Sequence, residues 1–137
     1  MMRQFPRMYE EETQGHPMYI SDQVWSAITD YFDQAHARHR GRGRPRVSRR
    51  AVLSGIVSVL LEDMPWGDLP TRQFKVSGNT CWRQFREWVQ TGTWSEIVDV
   101  LKAAWSQYGR IQWATLLTQA ATKRIERMEA RRPRQEK

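Results

Sequence analysis

The side chains best suited to a chemical role lie in one stretch, residues 78–90. One side of a helix drawn through it carries amide, hydroxyl and guanidinium groups: Asn79, Thr80, Arg83, Gln84 and Arg86. Asn and Gln can pair with adenine and Arg with guanine, while Thr and Arg can contact phosphate oxygens. Ser77 precedes the stretch and can both cap its free N–H groups and reach a phosphate. The pattern predicts a recognition helix that lies in the major groove of duplex DNA.

Arginine is also concentrated where no ordinary helix can form. Residues 34–61 hold seven Arg and no acidic residue. Glycine and proline interrupt segment 36–50, which predicts a flexible basic arm. Its guanidinium groups could enter a narrow A·T-rich minor groove, since residues 42–45 resemble the core of an AT-hook. A solvated linker that makes only phosphate contacts fits the composition equally well. RNA binding is a further possibility, since arms of this kind accept both polymers. The predicted contacts are Arg40, Arg42, Arg44, Arg46 and Arg49.

No group of side chains has the spacing of a catalytic or metal site. Cys81, the single cysteine, falls on the apolar side of the recognition helix and is predicted to be a buried, inert thiol. The histidines fall in segments predicted to be flexible: His16, His36 and His39. Three neighbouring carboxylates are predicted to cap a helix start rather than hold a metal ion: Glu62, Asp63 and Asp68. We therefore predict no enzyme activity, no metal and no cofactor.

Three elements are predicted to come before the recognition helix and to position it. Ser21 caps a first helix with one apolar stripe. Ser48 caps a second helix that is apolar nearly all round, so this helix must lie at the centre of the core. A short helix is predicted between Pro65 and Pro70, because proline suits a first helical position and opposes extension of a helix that precedes it.

Two helices are predicted to follow the recognition helix. Gly92 ends it, and a capping box of Thr93 and Glu96 opens the next helix, which ends at Gly109. A last helix from about residue 111 to 131 carries an apolar stripe that either docks on the domain or pairs with another copy: Leu116, Leu117, Ala120, Ala121, Ile125 and Met128. The sequence thus predicts an all-α fold, a tri-helical helix-turn-helix core with additional N- and C-terminal helices.

The predicted organisation is one domain with two tails. Its parts are a flexible lead 1–20, a helix-turn-helix DNA-binding domain 21–108 that includes the basic arm, and a C-terminal basic helix and tail 109–137. The formal charge of +7 is concentrated in two basic blocks around a nearly neutral middle, which is typical of a protein with a polyanionic partner. No apolar run reaches the roughly 20 residues of a membrane span. We expect a cytoplasmic, nucleoid-associated protein without a disulfide framework.

The order of several residues between Ile20 and about Leu101 carries a family resemblance. The residues are Trp25, Gly43-Arg44-Pro45-Arg46, the apolar helix from Arg50, Pro65-Trp66, Asp68-Leu69-Pro70, Thr80, Arg83, Phe85, Trp88, Gly92 and Trp94-Ser95-Glu96-Ile97. This series resembles the N-terminal DNA-binding region of DDE transposases from bacterial insertion sequences, in the family-four and family-five groups. The resemblance implies a helix-turn-helix domain that binds the ends of a mobile element.

The catalytic part of such transposases has no counterpart in this sequence. Family members continue into a ribonuclease-H-like domain whose three carboxylates hold two metal ions. Residues 111–119 resemble the approach to the first of these carboxylates, but Thr118 and Gln119 stand where it is expected. The acidic residues after position 101 are too close together for such a site: Glu126, Glu129 and Glu136.

The expected function is therefore DNA binding without catalysis, by a domesticated transcription regulator or a short product of the element that occupies its ends. Two other interpretations remain open. The Trp-rich scaffold and last helix could form a protein-interaction module, an adaptor in a larger complex. The chain could also be the first reading frame of a split transposase, completed by a separate catalytic chain. The expected partner is double-stranded DNA, with a homodimer through the last helix as a further possibility.

Overall fold

Six α-helices and one 3₁₀ turn make up the part of the chain that the computed structural model describes, residues 19–35 and 48–131. The elements are α1 Asp22–Ala35, α2 Arg49–Glu62, the 3₁₀ turn Trp66–Asp68, α3 Thr71–Phe74, α4 Gly78–Thr91, α5 Thr93–Gln107 and α6 Ile111–Arg131. Within these two segments there is no strand, so the predicted all-α fold is confirmed. None of their helices is long and apolar enough to cross a membrane.

The central element is α2, as its nearly uniform apolar composition predicts. Every residue from Ala51 to Leu60 is buried. Helices α4 and α6 both pack on α2, and α3 touches it as well. Gly55 allows the close approach of α4, because a Cβ at this position would lie only 2.6 Å from the Sγ atom of Cys81. The position of α4 is thus set by contact with the most deeply buried helix.

Helix α6 docks on α5 and α2, which is one of the two arrangements that its apolar stripe predicted. Ala114, Leu117 and Ala121 are buried in this contact. Trp113 packs edge-on against Trp105 of α5, with ring centroids 5.6 Å apart. Leu116 was expected in the stripe, but it is 50% exposed because it lies one residue away from the face that Leu117 occupies.

Local capping signals in the sequence are largely confirmed. The hydroxyl oxygens of Ser21 and Ser48 accept hydrogen bonds from the backbone N–H groups of Val24 and Ala51, at 3.3 and 3.1 Å. Gly92 ends α4 in the left-handed conformation, with φ at 82°. This conformation costs glycine little because it has no Cβ.

The short helix predicted between Pro65 and Pro70 is confirmed only as a 3₁₀ helix. Only a single 3₁₀ turn forms there, with extended backbone at Pro65 on one side and at Leu69 on the other. A four-residue helix, α3, begins directly after Pro70, which serves as its N-cap residue. Proline at that position does not prevent a helix from starting, since the missing N–H is not needed there.

The carboxylates Glu62, Asp63 and Asp68 do not cap a helix start, so this prediction is wrong. Asp63 is instead the C-cap of α2, and its own N–H donates to the carbonyl oxygens of two residues in the last turn. Its backbone is left-handed, with φ at 53°, a conformation that Asp tolerates better than most residues. Glu62 is the last residue of α2, and Asp68 is the last residue of the 3₁₀ turn.

The predicted capping box of Thr93 and Glu96 does not form. Thr93 is already the first helical residue of α5, and Gly92 before it offers no side chain to cap the helix. The carboxylate of Glu96 accepts a hydrogen bond from the hydroxyl of Tyr31 on α1, with 2.7 Å between the oxygens. The Glu96 side chain thus bonds to a residue 65 positions earlier in the chain instead of capping its own helix.

Candidate nucleic-acid interface

Helix α4 is held in place by an aromatic cluster on one side. Phe85 and Cys81 are fully buried, and Trp88 is buried as well. The ring of Phe85 lies between Trp66 and Trp94, with centroid distances of 5.6 and 5.1 Å. Aromatic packing of this kind leaves a helix little freedom to rotate about its axis. The orientation of the opposite side of α4 is therefore determined by the core.

A tight turn of three residues, 75–77, leads from α3 into α4. Lys75 adopts the left-handed conformation, with φ at 64°, and its N–H donates to the carbonyl oxygen of Thr71 at 2.7 Å. Ser77 then caps α4, because its hydroxyl oxygen accepts from the N–H of Thr80 at 3.1 Å. The predicted capping role of Ser77 is confirmed, and its hydroxyl hydrogen is directed to the hydroxyl oxygen of Thr80.

The side of α4 that faces away from the core carries the side chains that were predicted to contact DNA. Asn79, Arg83 and Arg86 are exposed, while Thr80 and Gln84 are half-buried. The guanidinium of Arg86 lies 4.6 Å from the ring centroid of Trp82, a cation–π contact that limits its movement. The structure thus brings the five predicted residues of α4 together on one surface, which carries a net positive charge.

The predicted contacts of the basic arm fall mostly outside the described residues. Arg40, Arg42, Arg44 and Arg46 belong to residues 36–47, which the structure does not describe. Arg49 is described and exposed, and its guanidinium lies 4.3 Å from the ring centroid of Phe32 on α1. Phe32 also packs against Trp88 of α4, with centroids 5.9 Å apart.

Two cations near α4 were missed at the sequence level. Arg72 in α3 and Lys75 in the following turn are both exposed, just before the N-terminus of α4. The available signal was the two cations in the segment between Pro70 and Ser77. Since no helix was predicted there, these cations had no predicted position relative to α4. In the structure these cations extend the positive surface of α4 towards its N-terminus, where unpaired N–H groups already favour anions.

Arg124 of α6 was also missed, and it is almost completely buried. Its guanidinium donates to the carbonyl oxygen of Met64 at 2.8 Å and lies 5.6 Å from the ring centroid of Trp66. The carboxylate of Asp63 is 3.5 Å away. A buried cation needs such partners because its desolvation is costly. Arg124 therefore ties α6 to the 3₁₀ turn that supports Phe85 of α4.

Two titratable groups among the described residues have a raised pKa. Burial raises the pKa of the Cys81 thiol to about 12, so the prediction of a buried thiol is confirmed. Burial, followed by the hydrogen bond to the Glu96 carboxylate, raises the pKa of Tyr31 to about 12. In the described segments no group of three or more His, Cys, Asp or Glu side chains is placed to hold a metal ion.

Fold and surface together define an all-helical domain that presents one polar, cationic helix from an aromatic core. The chain belongs to the family described as "Putative transposase of IS4/5 family (DUF4096)", which matches residues 20–98. A curated relative, the "Insertion element IS402 uncharacterized 16.2 kDa protein" of Burkholderia cepacia, is 38% identical over 85 residues, which are 61% of this chain. The match spans 58% of that relative's length. No solved structure matches the chain significantly.

Proposed function

We propose that this protein binds duplex DNA by placing α4 in the major groove. The arrangement of α3, the turn 75–77 and α4 has the order of a helix-turn-helix, in which the second helix reads base edges. Membership of a transposase family supports this function, because a transposase must recognise DNA. The DNA site that we propose is the end of a mobile element.

One observation carries the proposal: Asn79, Arg83 and Arg86 are exposed on a helix whose other side is fixed. Asn79 and Arg83 are four residues apart and so lie on the same side of the helix, one turn from each other. Both can make bidentate hydrogen bonds, Asn with adenine and Arg with guanine. Phe85 and Trp88 prevent α4 from turning these groups away. Such preorganisation is what sequence-specific recognition requires.

The basic arm is proposed as the second contact. Phe32 near the end of α1 and Arg49 at the start of α2 are in contact with each other, and Phe32 touches Trp88 of α4. Described residues on either side of segment 36–47 are therefore linked to α4 through Phe32. We propose that its arginines bind the adjacent minor groove or phosphates of the same duplex: Arg40, Arg42, Arg44 and Arg46.

The test is the affinity of an Arg83→Ala variant for a duplex selected from a random library by the unaltered protein. If Arg83 contacts a base, the variant loses about 1–3 kcal/mol on that duplex and little on unrelated sequences. Lys102→Ala is the matched control, since Lys102 is an exposed cation on α5. Equal weakening on every sequence would make Arg83 a phosphate contact. Failure of the unaltered protein to bind any duplex would refute the proposal.

A second candidate function has support from the comparisons. The family is one of transposases, and the relative in Burkholderia cepacia is a product of an insertion element. We therefore propose as an alternative that the protein supplies DNA binding to a separate catalytic chain. DNA cleavage at the element's end that appears only when both chains are mixed would favour this alternative over independent DNA binding.

A further inference from the structure

Helix α6 carries its positive and negative charges on different sides. At about 100° per residue, Lys123, Arg127 and Arg131 lie within about 80° of one another around the helix axis. Glu126 lies about 100° and Glu129 about 160° from the middle of this group. All five side chains are exposed. We call the three cations the α6 basic stripe.

The basic stripe is not explained by the stability of α6. Its members are four residues apart, a spacing at which like charges oppose helix formation by roughly 0.2–0.5 kcal/mol per pair. Among the residues that the structure describes, none of the three forms an ion pair or a cation–π contact. Arg131 can interact favourably with the C-terminus of the helix, but Lys123 is two turns too early for that. The stripe is thus available to an external anion.

The position of the stripe is set by Arg124, which lies about 60° around the helix from its middle. Arg124 is anchored on the carbonyl oxygen of Met64 and on the ring of Trp66. The carbonyl oxygen of Trp66 is in turn packed directly against Gly78, the first residue of α4. The C-terminal half of α6 is therefore connected, through the 3₁₀ turn, to the N-terminal end of α4, the end at which a recognition helix contacts base edges.

We propose that the α6 basic stripe is a second DNA-contacting surface, which binds backbone phosphates beside the groove that α4 occupies. This inference rests on the proposed function. Eight residues of helix place the ends of the stripe about 12 Å apart. Phosphates follow one another at about 3.4 Å along the axis of each strand, so the stripe can span several of them. Helix α6 begins at Ile111, beyond the family match of residues 20–98. The proposed phosphate contact therefore lies outside the matched region.

The salt dependence of binding tests this surface, because each phosphate contact contributes about 0.9 to the slope of log affinity against log salt concentration. The full chain is compared with a Lys123→Gln/Arg127→Gln double variant on one duplex. We expect the slope to fall by about 2 in the variant. The matched control is Lys102→Gln/Arg110→Gln, which removes the same net charge. Arg110 lies at the other end of α6, about 25 Å from Arg127.

The control separates direct contact from the effect of overall charge. We expect the control variant to keep the slope of the unaltered chain. The stripe variant should keep its melting temperature, since Lys123 and Arg127 are exposed. The control should lose no more than a few degrees, since the guanidinium of Arg110 lies 5.4 Å from the ring centroid of Trp113. Equal slopes in the two double variants would overturn the stripe. The proposal would also be overturned if the stripe variant lost slope with single-stranded RNA but not with duplex DNA. If Arg83→Ala weakens binding but the stripe variant keeps the slope of the unaltered chain, the stripe proposal is overturned and the proposed function stands.

Discussion

Gly78 is where the N-terminus of α4 meets the carbonyl group of Trp66. A Cβ atom added to Gly78 would overlap that carbonyl oxygen, so α4 and the 3₁₀ turn approach each other as closely as their backbones permit. Backbone atoms cannot move aside as the end of a flexible side chain can. Glycine is needed at this position for its size, since Gly78 is an ordinary helical residue without a positive φ.

A Gly78→Ala substitution should therefore destabilise the protein. Forcing an additional methyl group into a filled space costs about 1–3 kcal/mol, and urea denaturation should show this as a lower midpoint. Gly67→Ala is the control, because nothing lies within 4 Å of a Cβ at Gly67. We expect the control to change stability by no more than about 1 kcal/mol. Equal stability of the two variants would show that α4 can move away from Trp66.

At the scale of the elements, the 3₁₀ turn Trp66–Asp68 is held between two helices. Its Trp66 ring packs against Phe85 of α4 and also contacts the guanidinium of Arg124 of α6. Arg124 also satisfies the carbonyl oxygen of Met64, just before the turn. The orientation of α4 therefore depends on α6 although the two helices meet through an intermediate turn.

Replacement of Arg124 by Ala tests this dependence. The loss of a hydrogen bond to a charged, buried group should cost about 1.5–3 kcal/mol in the free energy of unfolding. The indole signal of Trp66 in an NMR spectrum should shift as well, since the cation beside its ring is removed. Arg127→Ala, an exposed neighbour on α6, should stay within about 0.5 kcal/mol of the unaltered protein. An Arg124→Ala variant with unchanged stability and spectrum would contradict the link.

At the scale of the whole molecule, α6 completes a core that extends beyond the family match. The match ends at residue 98, but Trp105 of α5 is almost fully buried and packs against Trp113 of α6. The indole N–H of Trp105 donates to the carbonyl oxygen of Tyr19 at 2.9 Å, which ties α5 to the start of the described chain. One hydrophobic core thus includes residues from α1 to α6.

A chain shortened to end at Tyr108 should therefore be far less stable. Loss of the contacts of Leu117 alone removes about 1.5–3 kcal/mol of hydrophobic stabilisation, and Trp105 becomes exposed in addition. We expect the melting temperature to fall by at least about 10 °C, since each kcal/mol corresponds to roughly 4–8 °C in a domain of this size. A chain that ends at Arg131 should melt like the full chain. An unchanged melting temperature for the shorter chain would show that α6 is an independent appendage.

The sequence by itself determined the features that depend on neighbours within a few residues. Ser21, Ser48 and Ser77 predicted the starts of three helices, because a hydroxyl oxygen reaches an N–H group only two or three residues ahead. The apolar spacing of α4 predicted its buried side, and hence which polar residues are exposed. That exposed side is the part of the candidate site that could be predicted without a structure.

Only the tertiary structure decided which distant groups meet. Glu96 has the position of a local cap but binds Tyr31, and Arg124 looks like one more surface cation of α6 but is buried on Met64, 60 residues earlier in the chain. Periodicity can show that a residue faces inwards or outwards, but it carries no information about the partner on another helix. Hydrogen bonds and burial between distant segments depend on how the helices pack, so they are defined only once the core has formed.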